Sequence, residues 1–177
     1  MSRPQAEPTA LSLLTDAEKA VVLDELMADD VVLERRAEQA GRRLLATVTT
    51  GHVASAVAEA LLALDQDDLA GHAGRTWYGY VEPTEAAWWL LERALEPWLE
   101  DLARRARLGL EKAPRQLGLG ILEGLGAVGD QISDDERLLS RAPDFAGEAA
   151  DSVLRALTDV GIELTDADRA RVAIARG

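Results

Sequence analysis

From Thr15 to the C-terminus the apolar residues recur every three or four positions, and sustained period-two alternation is absent. Ala, Leu, Glu and Arg dominate, while β-branched residues come only in short clusters. A chain patterned this way buries apolar stripes of helices against one another, so the expected fold is all-α. About seven helices are read. They are expected as antiparallel pairs stacked side by side in a short solenoid, or as a closed orthogonal bundle.

The helix boundaries are written in local chemistry. In "TDAE", Thr15 can cap the first amides while Glu18 returns the bond, a capping box that opens a helix carrying Ala17, Val21, Leu23, Leu26 and Met27. Asp30 is the expected cap of a second helix through about Ala46, with Glu34, Arg35, Arg36 and Glu38 outward and Leu33, Ala37, Ala40 and Leu44 inward. A third, over about 52–65, is apolar on two sides and is expected in the middle of the fold. One short helical turn is expected at Asp67–His72, and the glycines at 71, 74 and 79 mark 71–81 as an irregular connection.

Pro83 suits the first position of the next helix, with Glu85 in its first turn. That pattern runs to about Leu108, and Pro97 inside it predicts a kink or break near 93–97. Gly109 is the expected C-cap. The helix over about 111–127 carries Gly118, Gly120, Gly124 and Gly126. Each glycine costs about 1 kcal/mol relative to alanine in a helix interior, which implies that neighbouring helices approach its backbone closely. "SDDE" (133–136) predicts a short helix, Pro143 to about Val160 another, closed by Gly161, and "TDAD" caps a last one from Thr165.

Length and composition suit one globular domain over residues 11–177, with residues 1–10 as an expected disordered lead-in. No segment reaches the ~18 consecutive apolar residues of a membrane span, and the start of the chain lacks a hydrophobic signal region, so the expected location is cytoplasmic. Seventeen Arg against two Lys reads as the codon bias of a high-GC genome. A net charge of −13 argues against nucleic acid and anionic membrane as partners. The positive pairs Arg35–Arg36, Arg42–Arg43 and Arg104–Arg105 each sit among acids and make no basic face.

Catalytic and metal chemistry finds little footing. With no Cys there is no disulfide framework and no thiolate metal site. The two histidines, His52 and His72, fit no metal-ligand spacing. "DQDDLAGHAGRT" (65–76) fails as a calcium loop, because the position-6 glycine is Ala70 and the position-12 carboxylate is Thr76. No serine sits in a Gly-x-Ser-x-Gly elbow, and no phosphate-binding glycine loop is present. Catalytic residues, metal ligands and cofactors are therefore all read as none.

"LLTDAEKAVVLDELMADDVVLERRAEQA" and "YGYVEPTEAAWWLLERALEPWLEDLARRARLG" resemble, in layout, helical segments of bacterial SWIM-zinc-finger-associated proteins. The resemblance covers about residues 11–130. It implies a TPR- or HEAT-like helical region with an interaction role. The SWIM metal motif needs Cys and His, so no functional residue carries over.

The remaining signal is aromatic. Five of seven aromatic residues, Trp77, Tyr78, Tyr80, Trp88 and Trp89, lie within residues 72–89. Tyr, Trp and Arg are enriched at protein-binding hot spots, so Arg75, Trp77, Tyr78, Tyr80, Glu82 and Trp88 form the candidate contact surface. The partner would be another protein, or a second copy of the chain. The competing use of the rings is to fill the core between helices. An alternative function is a small-molecule binder or enzyme with its pocket at the same segment, His72 carrying the proton.

Overall fold

A computed structural model describes residues 10–77, 79–129 and 137–175. It is all-α, with eight α-helices and one two-stranded ribbon among those residues. In order these are α1 (Ala10–Leu13), α2 (Asp16–Ala28), α3 (Val31–Ala46) and α4 (Thr50–Leu62), then strands β1 (Gly74–Thr76) and β2 (Gly79–Val81). There follow α5 (Pro83–Arg107), α6 (Lys112–Gly129), α7 (Phe145–Asp159) and α8 (Asp166–Ala175). The chain divides into two compact units, Met1–Leu44 and Leu45–Gly177. The lead-in expected over 1–10 lies outside the described residues, except for Ala10, which begins α1.

In the first unit the caps form as their chemistry dictates. The Thr15 hydroxyl accepts from the Glu18 amide at 3.3 Å, and the Glu18 carboxylate accepts from the Thr15 amide at 2.8 Å. That backbone bond holds the Glu18 carboxyl below the usual carboxylate range. Asp30 caps α3 by accepting from the amides of Val32 and Leu33 at 2.8 and 3.1 Å.

The second unit is built round α6, against which α4, α5, α7 and α8 all pack. Of the two architectures expected, this is a bundle about a central helix and not a stack in which each helix pair meets only its neighbours. The centre is α6 and not α4, in which only Val57 and Leu61 are fully buried. The glycines explain the difference. A Cβ on Gly120 would lie 2.7 Å from the Thr50 carbonyl oxygen, and one on Gly124 would lie 2.7 Å from the Ala54 carbonyl oxygen, so α4 lies directly on the α6 backbone. On another side, Gly118 receives Leu157 of α7, whose nearest methyl would be 2.8 Å from an added Cβ. Glycines thin the helix, and several neighbours can then share it.

Helix ends are closed by two Schellman motifs, both using a glycine with positive φ. After α5, Gly109 (φ 71°) donates to the Ala106 carbonyl at 2.8 Å and Leu110 donates to Arg105 at 3.3 Å. After α7, Gly161 (φ 75°) donates to Thr158 and Ile162 to Leu157, each at 2.9 Å. Thr165 and Asp168 form the box that opens α8. Asp168 also receives Arg115 of α6, with Nε at 3.0 Å, which ties the last helix to the centre. Burial works against its ionisation, yet the Thr165 hydrogen bonds and the Arg115 charge hold its carboxyl below the usual range.

Three expectations change. Helix α5 is continuous through Pro97, so the expected break does not occur. The connection at 71–81 is ordered as an antiparallel ribbon that pairs Gly74 with Val81, Arg75 with Tyr80 and Thr76 with Gly79. Strands of three residues, each containing a glycine, are too short to show alternation. The helix expected from "SDDE" starts at residues outside the described set, and a 3₁₀ turn at Leu138–Arg141 follows them. No single helix among the described residues is long and apolar enough to cross a membrane.

Candidate functional site

The aromatic segment divides between the core and the surface. On α5, Trp88 is half-buried and meets Phe145 of α7 edge-on, ring centroids 5.3 Å apart. On the ribbon, Trp77 is 94% exposed and Tyr80 67% exposed. Arg75 is exposed too, and the register places it directly opposite Tyr80, where cross-strand neighbours share a face. Glu82 is exposed at the entry to α5 and makes no capping bond with its side chain. Tyr78 lies outside the described residues. Of the candidate set, Arg75 and Tyr80 come together on the ribbon. Trp88 stands apart from them, on the wall of a groove.

That groove, of about 520 Å³, runs between α5 and α7. Helical spacing sets its lining, for Trp88, Glu92, Leu95, Glu96 and Leu99 repeat along one face of α5. Leu95, Phe145 and Ala149 make a buried apolar floor. The exposed carboxylates Glu92, Glu96 and Glu148 stand at its rim, with Arg93 the one guanidinium among the lining residues. Arg93 lies over the Trp89 ring, 5.2 Å from its centroid, so its charge is partly spent on the indole face.

Trp89 links the groove to the ribbon. Its ring, 43% exposed, is 5.0 Å from His72. Together with His72, Val81 and Glu85 it lines a smaller hollow beside β2. A continuous surface thus runs from the ribbon over Trp89 to the acidic groove. Trp89, Arg93 and the α7 residues Phe145 and Glu148 belong to it and were missed as site residues. The i, i+4 repeat from Trp88 to Glu92 and Glu96 was the available signal on α5. Nothing local points to α7, some fifty residues further along the chain.

Among the described residues no group of three His, Cys, Asp or Glu side chains could hold a metal ion. The Arg104–Arg105 pair is engaged by Asp101, whose Oδ2 lies 2.8 Å from Arg105 Nε, and Arg105 also donates to the Leu45 carbonyl.

Comparison with protein families, curated proteins and solved structures gave no match, so nothing there bears on the resemblance to SWIM-zinc-finger-associated regions.

Proposed function

We propose that the chain is a non-enzymatic protein-interaction module whose contact surface is the aromatic segment 72–98, extended into the α5–α7 groove. The observation that carries this reading is the exposure of Trp77, 94%, on a ribbon with Tyr80 and Arg75. An indole held in water loses the burial energy that is the usual reason to have one, and binding recovers it. The groove narrows the partner class. An apolar floor under three carboxylates and one stacked guanidinium fits an amphipathic helix with Lys or Arg beside its apolar stripe.

Capture of partners from the native host with wild-type chain, Trp77→Ala, Arg75→Ala and Glu92→Lys/Glu148→Lys tests the reading. Loss of the same protein in the ribbon variants and in the groove variant, with folding intact, is the expected result. An unchanged partner set in folded variants removes the proposed surface.

The groove volume also lies within the range of small-ligand pockets, roughly 300–1,000 Å³, which favours a metabolite as the second reading. Quenching of tryptophan fluorescence by one small molecule, abolished in Trp88→Ala and retained in Trp77→Ala, would establish it in place of the first.

A further inference from the structure

The helices of the first unit carry apolar surface that nothing in that unit covers. None of the described residues from Ala10 to Leu44 is buried. On α2, Val21, Leu23 and Leu26 are 56, 49 and 55% exposed, and on α3, Val31, Val32 and Leu44 are 59, 57 and 75% exposed. The two helices follow one another across Asp29–Asp30 without packing along their lengths.

Each helix has the pattern of one that is covered. At 100° per residue, Ala17, Val21, Val22, Leu23, Leu26 and Met27 point to all sides of α2, as in a helix enclosed by others. On α3, Leu33, Ala37, Ala40 and Leu44 are spaced four, three and four apart, the seam of a two-helix contact. The small residues Ala37, Ala40 and Gly41 allow a close approach there.

Charge identifies what covers them. Helix α2 has four acids (Asp16, Glu18, Asp24, Glu25) against Lys19, a net −3. Helix α3 has four arginines (Arg35, Arg36, Arg42, Arg43) against Glu34 and Glu38, a net +2. One segment therefore holds an acidic apolar helix and an amphipathic one of net positive charge, complementary in sign. A two-fold axis sets the acidic helix of each copy on the basic helix of the other, so both contacts form at once.

We propose that α2 and α3 are a self-association arm, pairing reciprocally with the same helices of a second copy of this chain. This does not rest on the aromatic surface.

The test is the solution mass of the full chain by light scattering, from micromolar to sub-millimolar concentration. The expected mass rises to twice 19.1 kDa. Arg35→Glu/Arg36→Glu makes α3 acidic, and Asp24→Lys/Glu25→Lys makes α2 basic. Each variant alone is expected to dissociate at least about tenfold more readily, and an equimolar mixture to regain the dimer, since reversed helices then face opposite charges again. All four side chains are exposed, so helicity by circular dichroism should not change. A monomer at every concentration overturns the proposal. So does a dimer indifferent to both variants, or a pair of variants that fail to recombine.

Discussion

Helices α6 and α2 are both rich in apolar residues and meet opposite ends. In α6, eleven positions are buried, among them Gly118, Gly120 and Gly124, which let α4 and α7 close on the backbone. In α2 none is buried, although its apolar residues surround the helix. Intrinsic helix propensity does not decide it, because the buried helix α6 carries interior glycines that α2 lacks. What differs is burial within each helix's own unit, and most helical stability comes from such packing. The second unit buries α6, whereas nothing in the first unit covers α2.

Substitutions sharpen the contrast, beginning with the core. Leu122→Ala, at a side chain 1% exposed, should destabilise by about 2–5 kcal/mol in chemical denaturation. The equivalent change in α2, Leu26→Ala, should stay within about 0.5 kcal/mol in dilute protein, where no second copy covers it. Equal effects at the two sites would erase the distinction.

Gly120→Ala tests the cause of α6's central place. The new Cβ meets backbone and the Val53 side chain within 2.8 Å, so overpacking should cost about 1–3 kcal/mol. Gly118→Ala should cost less, because it meets only the Leu157 side chain. A neutral or stabilising Gly120→Ala would mean that α4 does not lie on this helix.

Smaller effects are expected where α8 is tied on. Thr165→Ala removes a cap and should cost about 1 kcal/mol. Because the folded-state pKa of Asp168 is lowered, its contribution is present above the ordinary carboxylate pKa of about 3.9 and is lost as pH falls through the lower folded value. Asp168→Asn should therefore flatten the acid limb of the stability profile below about pH 4. An unchanged acid limb would show that the Thr165 box and the Arg115 tie do not hold this carboxylate in solution.

The helix ends were legible because their chemistry is local. Thr15 with Glu18, Asp30, Pro83, Gly109, Gly161 and Thr165 act within a few residues of themselves, and all lie where their residue types require. The glycines of α6 were legible as sites of close approach, though not as the mark of the central helix, because which helices come close is a tertiary matter. The division of the aromatics was hidden for the same reason. Trp88 is half-buried against Phe145, a contact between helices far apart in sequence, and Trp77 stands exposed on a ribbon too short to read. Of the kink or break expected at Pro97, the break does not occur, since the long helix continues through the missing bond.

The difference between the buried and the uncovered helices is read most directly by amide hydrogen exchange of the full chain at low and high concentration. Amides of α6 should exchange slowly and equally at both, whereas those of α2 and α3 should exchange fast in dilute protein and slow down as it is concentrated. Slow exchange in α2 and α3 at monomeric mass would contradict the account, because it would show that a single chain already covers them.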